Sequence, residues 1–91
     1  MKVQNPINID LQKYKSAFKA LSDDNRLFIL QILTENGRTC VCDLSELLNL
    51  SQSRLSYHLK ILLDVGFILC RTYRIKKNVV GRPLLQTLSW Q

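Results

Sequence analysis

The stretch 38-RTCVCDLSELLNLSQSRLSYHLKIL-62 decides how the rest of the chain is read. Thr39 is a cap residue in front of a helix over residues 40–48. Asn49, Leu50 and Ser51 then read as a tight turn, and Ser51 can cap a further helix running to about Asp64. Two short helices joined by about three residues are the mark of a helix-turn-helix. Two of the chain's three cysteines, Cys40 and Cys42, stand one residue apart at the front of the first of these helices. Their placement there is the question that the rest of the chain has to answer.

Working outward toward the N-terminus, Asn5-Pro6 marks a loose start and Asp10 can cap a first helix. Leu11, Tyr14, Phe18 and Leu21 recur at spacings of three and four, which puts them on one helical face. Ser22, with Asp23 and Asp24 behind it, is expected to open a second helix, with negative charge where the helix dipole favours it. Its body, RLFILQIL (residues 26–33), is apolar nearly all round, as a central buried helix would be. Asn36-Gly37 closes it.

Toward the C-terminus, Gly66 ends the helix that Ser51 opens. FILCRTYRI (residues 67–75) is rich in β-branched and aromatic residues and reads as a strand. KKNVVGRP (residues 76–83) has the charge, Asn, Gly and Pro of a hairpin tip, and LLQTLSW (residues 84–90) is expected to return. Helices first and a two-stranded hairpin last give a winged helix-turn-helix, mainly α with a small β wing. Residues 1–91 are expected to form one DNA-binding domain of this kind.

Ninety-one residues with 46% hydrophobic content suit one small globular domain with a modest core. No apolar run reaches the length of a membrane span, since Asp64 interrupts the best candidate, Ile61 to Cys70. The N-terminus lacks the apolar core of a signal peptide. A cytoplasmic protein without a membrane partner is expected, with its cysteines reduced. The odd number of cysteines also argues against a closed disulfide framework.

The net charge of +6 is unevenly placed. Residues 1–50 carry six Lys or Arg against six Asp or Glu, whereas residues 51–91 carry seven against Asp64 alone. A field of that sign on one half of a small domain favours a polyanion, and double-stranded DNA is the partner expected. Advancing 100° per residue along the last helix gathers Leu55, Leu59 and Leu62 into a narrow apolar arc. Ser53, Ser56, Tyr57 and Lys60 lie opposite, flanked by Gln52 and Arg54 near the helix start. Side chains of these lengths reach base edges and phosphates in a major groove. The first turn of a recognition helix points deepest, which makes Gln52, Ser53 and Arg54 the candidate base readers and Lys60 a phosphate contact. Arg74, Lys76, Lys77 and Arg82 are expected to cluster at the wing tip, astride the neighbouring backbone. His58 falls between the two arcs and is expected at the boundary with one hydrogen bond.

These residues carry a family resemblance. FKALSDDNRLFILQIL, followed by CVCDLSELLNLSQSRLSYHLKILLDVGFI, resembles the arsenic-repressor (ArsR/SmtB) family of metal-responsive winged-helix repressors, over about Phe18 to Ile68. The ordered combination of an ALSDxxRLxIL run, CVCDL, LSQSxLSxHLxxL and xGF is specific, and VGRPLLQTLS resembles the returning wing strand of relatives with a longer wing. The resemblance implies a homodimer on a two-fold symmetric operator, which it represses until an inducer binds. For members with the CVCDL signature it implies trivalent arsenic or antimony as inducer, held by thiolates of the third helix: here Cys40 and Cys42. It implies no organic cofactor. Residues two apart on a regular helix point about 200° from each other, so capturing one ion between both sulfurs is expected to unwind the helix start. That distortion would have a short route to the reading helix.

Two departures from the family pattern matter. Some relatives have a third cysteine three residues after the second, where this chain has Ser45, a poor ligand for a soft ion. Many relatives also continue into a C-terminal helix that joins the dimer interface, whereas this sequence stops at Gln91. A dimer is therefore expected to rest mostly on the Tyr14/Phe18 helix, with Trp90 as a second candidate. Cys70, on the first wing strand, is expected as a small buried residue rather than a ligand. Other readings stay open: two small apolar cysteines packed in the core, a regulator sensing redox state, another metal or nothing, or a winged helix used as a protein-interaction module. An enzyme is not expected, because there is no phosphate loop, a single histidine, and no nucleophile, base and acid that can be placed together.

Overall fold

The computed structural model of the chain describes residues 10–73 and 76–82. Its elements run α1 (Leu11–Leu21), α2 (Asp24–Asn36), β1 (Thr39–Cys40), α3 (Val41–Leu48), α4 (Gln52–Asp64), β2 (Ile68–Tyr73) and β3 (Lys76–Gly81). Helices α3 and α4 form the expected helix-turn-helix and β2 with β3 the wing, so the fold is a winged helix-turn-helix.

Three helices begin on a side-chain acceptor, because their first N–H groups have no partner within the helix. Asp10 accepts from the Lys13 N–H at 3.2 Å, Asp23 from that of Arg26 at 3.1 Å, and Ser51 from that of Arg54 at 3.3 Å. Asp23, rather than the expected Ser22, therefore opens α2. Ser22 closes α1 instead, its hydroxyl donating to the Lys19 carbonyl at 2.8 Å. A carboxylate wins that position because its bond is charge-assisted and the helix dipole adds to it. Gly37 ends α2 at φ 73° and Asn49 ends α3 at φ 53°, both at positive φ. The turn into α4 is then locked twice. The Leu50 N–H donates to the Ser45 carbonyl at 3.1 Å, and the Ser45 hydroxyl donates to the Leu50 carbonyl at 2.6 Å.

The start of α3 departs from expectation. Thr39 does not cap the helix; its hydroxyl donates to the Gly37 carbonyl at 2.9 Å. Thr39 and Cys40 are extended and pair antiparallel with β3, Thr39 opposite Val79 and Cys40 opposite Asn78. The sheet thus has three strands in the order β1-β3-β2. Two residues are too few for an alternating pattern, which is why β1 was not visible in the sequence, yet they cover the edge of β3.

The wing also has a different register. Tyr73 lies opposite Lys76, and Ile68 opposite Gly81, so KKNVVG is the return strand and not the tip. Lys77, Val79 and Gly81 share one face of β3, with Val79 fully buried, and Lys76, Asn78 and Val80 belong to the other face. The return strand expected over residues 84–90 lies outside the described residues, as does Trp90.

The core joins Ile29 and Leu33 of α2, Leu44 of α3, Leu55, Leu59 and Leu62 of α4, and Ile68 and Val79 of the wing. The apolar arc of α4 is the buried one, as its spacing required. Helix α2 is not buried all round: Leu27 and Phe28 are 47% and 51% exposed, while Arg26 is buried. On α1 only Ala20 is buried, and Leu11, Tyr14 and Phe18 are 63%, 50% and 70% exposed along its outer face.

Candidate DNA interface and thiol site

The burial of Leu55, Leu59 and Leu62 fixes the rotation of α4 and turns its polar arc outward. Gln52, Ser53, Arg54, Ser56, Tyr57 and Lys60 are all exposed. Ser53 Oγ lies 3.3 Å from the capping Ser51 Oγ, and Lys60 Nζ is 3.7 Å from Asp64 Oδ2. That ion pair is open to solvent and yields to a competing phosphate at little cost. Lys76 and Lys77 are exposed at the outer end of the hairpin, and Arg71 is exposed opposite Asn78. Arg82 does not join them. It follows β3 at the base of the wing, its N–H donating to the Phe67 carbonyl at 2.8 Å. The six-residue strand that begins at Lys76 ends one residue before it, so the two lie roughly 20 Å apart at 3.4 Å per residue. Arg74 lies outside the described residues.

Behind α4 is a polar cluster that the sequence did not announce. His58 is not a boundary residue; it is 6% exposed, with Nδ1 3.0 Å from a terminal nitrogen of the Arg26 guanidinium. Arg26, 8% exposed, also donates from Nε to the Ala20 carbonyl at 2.7 Å. A guanidinium only donates, so His58 Nδ1 accepts and the ring is neutral with its proton on Nε2. Burial pushes the His58 pKa down, and the Arg26 and Arg54 charges push the same way against Asp23, whose Oδ2 is 3.7 Å from Nδ1. Burial alone would raise the Asp23 carboxyl, but the Arg26 N–H and guanidinium, with His58, outweigh it and hold it low. The Tyr57 ring meets His58 edge-on, centroids 5.2 Å apart. The cluster thus ties the end of α1 and the start of α2 to the middle of α4. Its one sequence signal is an arginine at the head of an apolar run.

The two neighbouring thiols already meet. Cys40 occupies the N-cap of α3 with extended backbone (φ −67°, ψ 141°), and Cys42 lies in the first helical turn. Their Sγ atoms are 2.8 Å apart and both cysteines are free. The expected 200° divergence does not arise, because a cap residue turns its side chain back over the helix start. Holding one ion between the sulfurs therefore requires no unwinding of α3. The Cys42 S–H and the N–H groups of Cys42 and Asp43 favour the Cys40 thiolate and lower its pKa. The same hydrogen bond, aided by desolvation and Asp43, raises that of Cys42, with Lys76 pulling the other way.

No three His, Cys, Asp or Glu side chains gather into a metal site among the described residues. The Ser45 hydroxyl is committed to Leu50. Cys70 is exposed rather than buried, and it lies opposite Val79, whereas Cys40 lies opposite Asn78. Neighbouring positions on a strand face opposite ways, so Cys70 projects from the other face of the sheet. Two soft donors fit an ion that accepts low coordination, and do not complete the four ligands of a zinc site.

Comparison with known proteins bears on both surfaces. The family model described as "Bacterial regulatory protein, arsR family" matches residues 23–68, which run from the α2 cap into β2. The arsenical resistance operon repressor of Bacillus subtilis is 57% identical over 58 residues, covering 64% of this chain and 55% of that protein. The chain thus spans little more than half the length of that relative. HlyU from Vibrio cholerae superposes with a TM-score of 0.73 at 30% identity, over 93% of this chain and 100% of that one. A homodimeric winged helix-turn-helix DNA-binding domain from Mycobacterium bovis, a possible ArsR-family regulator, gives 0.78 at 20% identity, over 98% and 90%. At that identity the likeness is one of fold. No helix among the described residues is long and apolar enough to cross a membrane.

Proposed function

The chain belongs to the arsR family of bacterial regulatory proteins, and from that premise we propose that it represses transcription from an operator and releases it when trivalent arsenic or antimony is held by Cys40 and Cys42. The observation that carries this reading is the 2.8 Å approach of two free thiols at the joint between wing and helix-turn-helix. The arsenical resistance repressor of Bacillus subtilis supports the choice of inducer.

Residues Gln52, Ser53 and Arg54 read base edges from the first turn of α4, with Ser56, Tyr57 and Lys60 along the same face. Lys76 and Lys77 hold phosphate at the outer end of the wing. Arg82, at its base, serves a separate stretch of backbone, and Arg74 is assigned to the wing on its charge alone. The exposed Leu11, Tyr14 and Phe18 face of α1 pairs with its symmetry mate in a homodimer, so two reading helices address the half-sites of one operator. The homodimeric Mycobacterium bovis domain supports that arrangement.

The bound ion supplies a soft centre that takes thiolates in place of oxygen ligands. Cys40 contributes from β1, which is hydrogen-bonded to the wing strand β3, and Cys42 from the first turn of α3, which packs against α4. Linking the two side chains fixes the wing strand against the helix-turn-helix. Release follows only if that fixed arrangement fits the duplex worse than the free one, since a ligand shifts an equilibrium by its differential affinity for the two states. Titrating arsenite into the protein–duplex complex tests the assignment. Release from wild type and retention by Cys40→Ser and Cys42→Ser are expected, whereas equal release from all three removes the pair from the mechanism.

A further inference from the structure

We infer that Cys40 and Cys42 form an oxidation site, at which a hydroperoxide closes the pair into an intrachain disulfide. Two features of the backbone prepare it. Val41, between them, is helical, which sets the two Cα atoms about 5.4 Å apart by helix geometry, inside the disulfide range of about 4.4–6.8 Å. The extended backbone of Cys40 then brings Sγ to 2.8 Å from its partner, less than about 1 Å beyond a sulfur–sulfur bond. A pair within a regular helix turn would have to unwind first, and this one does not.

The two sulfurs have different roles. Cys40 borders an open groove of about 640 Å³ beside Asp43, Glu46 and Leu47, so an oxidant has access to it. Cys40 Sγ attacks one peroxide oxygen; an S–O bond forms, the O–O bond breaks, and the leaving oxygen departs as water or alcohol with a proton. Cys42 Sγ then attacks Cys40 Sγ, the S–S bond forms, and the sulfenic hydroxyl leaves as water with the Cys42 proton. In sum, two thiols and one hydroperoxide give one disulfide, one alcohol or water, and one further water. The thiols lose two electrons, which reduce the O–O bond. Cys70 takes no part, since it projects from the opposite face of the sheet.

Formation of the disulfide does not depend on the inducer assignment. Its consequence does: an oxidised pair has no thiolate to offer an ion, so oxidation would leave the repressor deaf to arsenite. Full-length protein treated with equimolar hydrogen peroxide, alkylated and cut with trypsin tests both. Peptide 39–54 holds both cysteines, and it is expected two hydrogens lighter, resistant to alkylation and restored by dithiothreitol. Cys42→Ser should instead hold a sulfenic acid at residue 40 that dimedone traps, because no neighbouring thiol remains to condense with it. Full alkylation of both cysteines after peroxide, or oxidation past sulfenic acid without a disulfide, overturns the inference. If the disulfide forms and arsenite still releases the duplex, oxidation stands and the inducer assignment fails. If no disulfide forms while arsenite acts through the cysteines, the reverse holds.

Discussion

Replacing Lys76 and Lys77 together with glutamine should flatten the salt dependence of operator binding while leaving the fold intact. Both side chains are exposed, and their backbone pairs with Tyr73 and Thr72 whatever the side chain. Each phosphate contact adds about 0.9 to the slope of log affinity against log salt. Two contacts per protomer in a dimer make about 3.6, and over a fourfold rise in salt, from roughly 50 to roughly 200 mM, that is about two decades of affinity. Fluorescence anisotropy of a labelled duplex across a salt series measures it, with circular dichroism and thermal melting as the control for folding. Identical slopes for wild type and variant would refute the assignment of the wing to the DNA backbone. Lys77→Gln alone separates two effects, because Lys76, unlike Lys77, also acts electrostatically on Cys42. It should remove half of the change and leave the arsenite response as it was.

The chain has a single histidine, so the pH dependence of stability near neutrality is assignable to one residue. The folded pKa of His58 lies below its unfolded value, so between the two the unfolded chain holds a proton that the native state refuses. Stability should therefore fall as pH drops below about 6.5, and Asp23, also held low, adds a loss below its ordinary 3.8. In His58→Gln, which keeps an acceptor for Arg26, the urea midpoint should be flat from pH 7.5 to 5.5 where wild type declines. Phe18→Glu should abolish the dimer: burying one Phe contributes about 1.5–3 kcal/mol, and a two-fold interface uses it twice, for roughly a hundred- to ten-thousand-fold in Kd. Sedimentation equilibrium reads that loss, and an unchanged dimer would move the interface off α1. Ser45→Cys sets a third thiol one turn beyond Cys42 and should lower the arsenite concentration needed for release. An unchanged midpoint would mean that the bond to Leu50 holds the side chain away.

What could be read from the sequence was what local chemistry determines. Leu55, Leu59 and Leu62 set the rotation of α4, Ser51 its start, and Asn49 the end of α3, so the helix-turn-helix and its outward polar arc followed directly. The wing was harder. Half of β3 faces solvent, and Lys76, Lys77 and Asn78 made a strand look like a turn until Val79 was seen to be buried. The thiol geometry failed for a related reason. Whether Cys40 is helical or extended is decided by its pairing with Asn78, nearly forty positions away, and no helical wheel contains that information. The Arg26–His58 bond is likewise tertiary, linking side chains 32 residues apart. The thiol geometry and the Arg26–His58 bond are thus both set by contacts between distant parts of the chain.

Thermodynamic linkage offers the most direct test of the central claim. If Cys40 and Cys42 hold the ion and thereby weaken the grip on DNA, the operator must weaken ion binding by the same factor. Calorimetric titration of arsenite into free protein and into the protein–operator complex measures both limbs of the cycle. The account predicts that the arsenite Kd rises in the complex by the factor by which arsenite raises the operator Kd, and that both effects vanish in the double serine variant. Equal arsenite affinity with and without operator, in protein that still needs both thiols to bind it, would contradict the account.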